Sequence, residues 1–225
     1  MGGVHERQGD NPKPDQEIVT GKDRYTLAPL RELDLANESD LAAYFQMLTH
    51  PNNIGHFSGP PEDPADLKLK LVRDRTHAYL AENMLGEVVG AGGINDAPEG
   101  EHDHFLVKVA VHPDYKGRGM GRQLVTALTD MAFSIPAVTI TATGERKERG
   151  RIKLDVAVIR YVEGWDIMPR LLSGLGYRFV HFLPNEVTVK DRNTGLEVLK
   201  PTERYEISRE DWFLRKSLNK KTNED

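Results

Sequence analysis

The sequence predicts a single α/β domain, and three observations predict it. Short runs of β-branched and alternating apolar residues recur between segments whose apolar residues repeat at helical spacing. Over residues 24–143 these come in the order strand, two helices, hairpin, strand, loop, helix, strand. The central strand also runs straight into a glycine-rich turn that opens a helix, in the stretch Val107-Lys-Val-Ala-Val-His-Pro-Asp-Tyr-Lys-Gly-Arg-Gly-Met-Gly-Arg-Gln-Leu-Val125.

The chain holds 225 residues, enough for one domain with a sizeable core. Residues 1–22 carry Gly, Pro, Asp and Gln with little to bury and read as a disordered leader; the domain is expected over 23–218 and a loose charged tail over 219–225. Thirty basic against 35 acidic residues leave a net charge of −5, which gives no electrostatic footprint for nucleic acid or an anionic membrane. Cysteine is absent, so there is no disulfide framework and no thiol nucleophile. No apolar run approaches the ~20 residues of a membrane span, and the first residues lack the apolar centre of a signal peptide. A cytoplasmic location is the expectation.

The elements follow in order. Arg24-Tyr-Thr-Leu-Ala-Pro-Leu30 alternates and predicts the first strand. Leu33 to Leu48 predicts a helix with Ser39-Asp40 as its cap and Leu41, Tyr44, Phe45 and Leu48 at helical spacing. A loop from His50 to Pro61 leads to a second helix at about Asp63 to Arg75. His77–Glu82 and Glu87–Ile94 read as strands joined by a tight turn at Asn83 to Gly86, with Gly90, Gly92 and Gly93 marking close backbone approach or a bulge. The central strand starts near Phe105 and ends at Pro113. The next helix runs from Gly119 to about Phe133, because Leu124, Val125, Leu128 and Met131 recur on one side. Val138–Thr143 is a further strand.

A strand, a glycine loop and a helix N-terminus together make a place to hold phosphate. The first-turn amides lack intrahelical acceptors and the helix dipole favours negative charge there. Glycine lets the backbone approach closely, and Lys116, Arg118 and Arg122 add positive charge at the same spot. The dinucleotide fingerprint fails, because Arg122 stands where a third glycine is required and no carboxylate follows about 20 residues on. The P-loop pattern fails too, for want of Gly-Lys-Ser/Thr. A nucleotide-binding module is disfavoured on both counts.

Lys116-Gly117-Arg118-Gly119-Met120-Gly121, preceded by Val111-His112-Pro113, resembles the acetyl-CoA loop of the GNAT superfamily of N-acetyltransferases. That family's pattern is (Gln/Arg)-x-x-Gly-x-(Gly/Ala) after Val-x-Pro; Lys116 keeps the charge of the first position but loses the planar donor fork. The resemblance covers roughly residues 24–143. It implies a central mixed, mostly antiparallel sheet flanked by helices, and acetyl-CoA as acyl donor. It also implies a V-shaped opening beside the central strand, with the pantetheine along the backbone of Val109, Ala110 and Val111. The pyrophosphate would rest on the amides of Arg118 to Gly121, and an N–H near Val109 would polarise the thioester carbonyl.

Past residue 143 the family order is less plain. Leu175-Gly176-Tyr177 to Phe182 matches the opening of the family's sixth strand, which makes Trp165–Ser173 the preceding helix. Two candidates remain for the fifth strand. Spacing from the glycine loop favours Val138–Thr143, with 144–162 then an insertion after it; the regular alternation of Leu154–Val162 supports the other. The fifth strand is accordingly expected at Val138–Thr143. Val187–Lys190 and Leu196–Leu199 flank Asp191-Arg-Asn-Thr-Gly195, a C-terminal hairpin signature, and Ser208 with Asp211 caps a terminal helix.

The acceptor would be a primary amine of a small molecule or peptide. The family's usual base position falls on Phe105 and its usual acid position on Leu172, so neither group is inherited. His104 is the candidate base, since its unperturbed pKa of about 6.5 suits neutral pH, and Tyr161, with Tyr205 as the alternative, the candidate acid. His102 and His104 find no third metal ligand, so no metal is expected. Tyr44, Phe45, His50 and Phe57 would border the acceptor, and 144–162 is where substrate preference or a homodimer contact would be written. The rival is a GNAT-fold module that binds CoA for sensing or assembly without catalysis.

Overall fold

Asn37 starts the first helix. Its side-chain oxygen accepts hydrogen bonds from the amides of Ser39 and Asp40 and satisfies two donors that the helix itself leaves orphaned. Helix α1 (Glu38–Thr49) therefore begins one residue ahead of the Ser39-Asp40 cap that the sequence suggests. Asp63 does the same for α2 (Pro64–Arg73), accepting from the amide of Asp66 at 2.8 Å. The computed structural model of the chain describes residues 21–53, 61–95, 103–140, 146–149, 153–159, 167–190 and 196–221.

The first strand is shorter and later than predicted. Residues Asp23–Tyr25 form a 3-10 turn, Leu27 makes an isolated bridge to Asn83, and β1 is only Arg31–Glu32. Strands β2 (Thr76–Glu82) and β3 (Val88–Asn95) form the predicted hairpin, and β4 (Asp103–Val111) lies antiparallel to β3. Helix α3 (Met120–Ser134) follows the glycine loop. Next come a small hairpin, β5 (Ala137–Ile140) and β6 (Arg146–Arg149), then β7 (Lys153–Ile159) and α4 (Ile167–Leu175). Strands β8 (Arg178–Lys190) and β9 (Glu197–Ser208) and helix α5 (Arg209–Lys221) complete the described chain.

The main sheet has the order β1-β2-β3-β4-β7-β9-β8. Its neighbours are antiparallel except β4 and β7, which run parallel. This is the mixed, mostly antiparallel sheet that the resemblance implies. The fifth strand of the core is thus β7, and the assignment of Val138–Thr143 is corrected. β7 pairs with β4 on one edge and with β9 over seven residues on the other, and its Leu154, Val156 and Val158 are buried. The four residues of β5 pair instead with the charged Arg146–Arg149 in a sheet of their own. The extra element is therefore the hairpin before the fifth strand, not 144–162 after it.

Alternation along the strands feeds two cores. Leu80, Ala91 and Ala110 face α1 and α2 with Tyr44, Leu48, Leu67 and Leu71. Tyr79, Ala81, Ile94, Leu154 and Val156 face the other way, with Leu124 and Leu128 of α3 and Leu172 of α4. Helix α3 lies tight on β3: a Cβ at Gly92 would stand 2.5 Å from Leu128 Cδ1. The close approach read from the β3 glycines is thus α3 seating on the strand, and it fixes where the N-terminus of α3 comes out.

The predicted C-terminal hairpin and the strands on either side merge into two long partners. β8 and β9 stay paired from Arg178↔Glu206 to Lys190↔Glu197, with shifts of register at Phe179/His181 and Leu183/Val187. Ser208 caps α5: its hydroxyl accepts from the Asp211 amide at 3.0 Å and donates to the Asp211 carboxylate. Asp130 of α3 accepts from the Trp212 indole and the Lys216 ammonium, which holds α5 against α3, and α5 itself runs on to Lys221.

Candidate active site

The end of β4 is built as the sequence suggests. After Val111 the chain makes a 3-10 turn at Pro113–Tyr115, stabilised by His112 Nδ1 accepting from the Asp114 amide. Gly117 and Gly119 then take φ values of +74° and +81°, where a Cβ is disfavoured and glycine is not. The third glycine differs. Gly121 lies within α3, and a Cβ there would make ordinary contact with Leu171 and Val111, whereas at Gly117 and Gly119 it would meet nothing within 4 Å.

Helix α3 starts at Gly119 with no side chain capping it. Its first internal bond is Gln123 N–H to Gly119 C=O, so the amides of Met120, Gly121 and Arg122 have no acceptor in the helix. No carboxylate stands in its first turn. The bare amides, the dipole and the open space over two glycines suit a diphosphate. The side chain of Met120 is buried beside Val89 and Tyr115, so it offers only its amide.

The cations around this opening are each held. Lys116 Nζ donates to the Asn52 carbonyl at 3.1 Å, Arg122 reaches the Gly174 carbonyl at the end of α4, and the Arg118 guanidinium lies 5.3 Å from the centre of the Tyr25 ring. Gln123 pins the segment that carries Tyr25, donating to the Tyr25 carbonyl and accepting from the Leu27 amide. Tyr115 donates to Glu87 at 2.6 Å; that bond and a second from Asn83 hold the Glu87 carboxyl below its usual range. Buried Asn53 ties the start of the 50–61 loop to β4 by donating to the carbonyls of Met47 and Val111. Tyr25, Gln123 and Asn53 were missed in the sequence, because their partners lie far away along the chain and no local pattern marks them.

Beyond the loop, β4 carries a bulge. Ala91 pairs with Ala110 and Gly93 with Val107, so β4 spans three steps where β3 spans two, and Lys108 has φ +53°. On its other edge β4 pairs with β7 only at Asp103, His104 and Phe105. Past Phe105 the two parallel strands continue without bonding, β4 to Val111 and β7 to Ile159. A split beside Val109–Val111 opening towards the bare end of α3 is the V that the family resemblance implies.

Residues 41–151 match the model of the acetyltransferase (GNAT) family. That stretch is a GNAT acetyltransferase domain. No curated protein sequence matches it significantly, but solved structures share its fold. A spermidine N-acetyltransferase from Vibrio cholerae, in complex with CoA and spermine, superposes with a TM-score of 0.62 at 16% identity, over 84% of this chain and 98% of that one. A probable GNAT acetyltransferase from Chromobacterium violaceum gives 0.57 at 17% identity, over 81% and 88%. An acetyltransferase from Bacillus subtilis in complex with CoA gives 0.53 at 12%, over 81% and 99%.

Within the GNAT frame the predicted site residues divide. Val109, Ala110 and Val111 line the split, and Lys116 to Arg122 surround the bare amides. For His104 the backbone is described, in parallel register with Leu154; Tyr161 and Phe57 lie outside the described residues. Leu172, at the family's acid position, is fully buried in the core. Tyr44 is a core residue and not a pocket wall: it is fully buried, and burial pushes its hydroxyl pKa well up. The Tyr205 hydroxyl donates to Glu203 and both are buried on β9, next to β7. Among the described residues no helix is long and apolar enough to cross a membrane, and no three His, Asp or Glu side chains gather as metal ligands.

Proposed function

We propose that this GNAT protein transfers the acetyl group of acetyl-CoA to a primary amine of a small molecule or peptide. The observation that carries the reading is the bare N-terminus of α3 at the open end of the β4–β7 split. The pyrophosphate sits on the amides of Arg118 to Gly121, and Gly117 and Gly119 let it come close. Lys116, Arg118 and Arg122 surround it with positive charge. The pantetheine lies along Val109, Ala110 and Val111, and the Val109 N–H polarises the thioester carbonyl.

In the reaction the neutral amine attacks the carbonyl carbon, a C–N bond forms and the C–S bond breaks. The amine proton leaves to a base and CoA departs as a thiolate that takes up a proton. His104, at the closed end of the split where β4 still pairs with β7, is the proposed base, and Tyr161 the proposed acid. A positioned base contributes typically 10²–10⁴-fold, so His104→Ala should lower kcat far more than it weakens acetyl-CoA binding. The test is thiol release from acetyl-CoA with a panel of amines, alongside calorimetry with CoA.

One observation favours a second reading, a CoA-binding module without catalysis. The family's acid position is a buried leucine, Leu172, and its base position is Phe105. CoA binding with no thiol release from any amine would select that reading. No heat from any CoA species would remove both.

A further inference from the structure

Lys108 occupies a backbone position that lysine rarely takes. Its φ of +53° lies in the left-handed region, inside the β4 bulge and one residue before Val109. Glycine would adopt this conformation without strain, so a lysine here points to a use for the side chain. That side chain is half-buried, and among the described residues it donates no hydrogen bond and joins no ion pair.

The charges that act on its ammonium all belong to α2 and its C-cap: Asp66, Lys70, Arg73 and Asp74. They cancel within themselves. Asp66 is paired with Lys70 at 2.9 Å and Asp74 with Arg73 at 2.7 Å. Among the described residues Lys108 is left as a positive charge without a counter-charge of its own, and burial pushes its pKa down. An anion beside it would reverse that penalty. The C-terminal end of α2 offers partial negative charge, yet it would hold a lysine on an ordinary strand equally well.

The face matters as much as the charge. Val109 and Val111 pack towards α3, from whose N-terminus the coenzyme enters, while Ala110 packs towards α1 and α2. Lys108, among the charges of α2, stands on that second face. If the acetyl-transfer reading holds, this is the side left for the acceptor amine, one residue from the amide that polarises the thioester.

We propose that Lys108 receives an anionic group of the acceptor, so that the preferred substrate is an amine that also carries a carboxylate. A polyamine, which brings only positive charge to this position, is the disfavoured class.

The test uses matched pairs that differ only in the carboxylate: free lysine against cadaverine, and free arginine against agmatine, with spermidine as a third arm. With the full chain and acetyl-CoA, kcat/KM for thiol release should favour the carboxylate-bearing member by roughly tenfold to a hundredfold, the range of a charge-assisted hydrogen bond. Lys108→Met should collapse that preference chiefly by lowering kcat/KM for lysine, and Lys108→Arg should restore part of it. A preference for cadaverine or spermidine in the unaltered chain, or an equal loss for both members in Lys108→Met, overturns the proposal. Calorimetry of the CoA-loaded protein with the same pairs reads the proposal without turnover and without any variant. Tighter lysine than cadaverine binding with no thiol release would reject acetyl transfer and keep the anion site; equal binding would reject the anion site.

Discussion

Helices α2 and α3 begin in opposite ways. At α2 the chain closes its own helix start: Asp63 accepts from the Asp66 amide, Asp66 accepts from the Glu62 amide, and Pro64 has no amide to satisfy. At α3 the cap is a glycine in the left-handed conformation with no side chain to offer, and the first turn holds no carboxylate. Both are sound helices over buried leucines, Leu67 and Leu71 in one and Leu124 and Leu128 in the other. The difference is therefore not about forming a helix. The α2 start is neutralised by a carboxylate, and the α3 start, proposed to serve a ligand, is left bare, with the stability of a cap forgone.

The comparison breaks most visibly if α3 is given the solution used at α2. Aspartate tolerates left-handed backbone better than most residues, so Gly119→Asp should fold while setting a carboxylate where the pyrophosphate is proposed to rest. Loss of one or two charge-assisted hydrogen bonds predicts a fall in CoA affinity of roughly a hundredfold, read by calorimetry. Gly119→Asn, which fills the same space without the charge, should fall between. Unchanged CoA binding in Gly119→Asp would mean that the bare amides hold nothing. The converse change is Asp63→Ala at α2. It should cost about 1 kcal/mol, or roughly 2–4 °C in Tm, and leave the calorimetric titration with CoA as it was. A matching loss of CoA affinity there would show that the two helix starts are not separate in function.

Helix α1 sharpens the same contrast with a smaller effect. Its first turn holds Asp40, and hydrogen bonding to Arg31 keeps the Asp40 carboxyl below its usual range. A carboxyl whose pKa is lower folded than unfolded adds stability above the unfolded value, about 3.9. That stability is lost as pH falls through the folded value. Arg31→Met should therefore move the acid-unfolding midpoint, followed by circular dichroism, to higher pH. The Arg31 side chain is 44% exposed, so solvent screens the pair, and the difference between variant and parent should shrink in high salt.

What was legible in the sequence follows the range of the signal. Strand, turn and helix around Pro113, Gly117, Gly119 and Leu124 are specified by neighbours a few residues apart, and the structure places them as expected. The fifth strand was not legible, because Val138–Thr143 and Leu154–Val162 are both short β-branched runs. What separates them is pairing with β9, whose residues Thr202–Ser208 come some fifty positions later. Tyr25, Gln123 and Asn53 escaped for the same reason. The acid and base remain where periodicity has no purchase, since a proton-transfer group needs only a position in space.

The glycine triplet shows that limit within the motif itself. Gly117, Gly119 and Gly121 look alike in the sequence, but only the first two have positive φ. Gly121 faces Leu171 and Val111 at 3.6 Å and 3.8 Å from where a Cβ would stand, which is ordinary van der Waals distance. Its contribution to the ligand is therefore its amide and not its missing side chain. Gly121→Ala should be the mildest change in the set, since alanine is the better helix former and the added methyl lies on the α4 side. The expected result is a Tm equal to or slightly above that of the parent, with CoA affinity close to it. A loss comparable to Gly119→Asp would place the coenzyme against the Gly121 Cα itself. It would then be the depth of the cradle, and not the absence of a capping carboxylate, that separates α3 from α2.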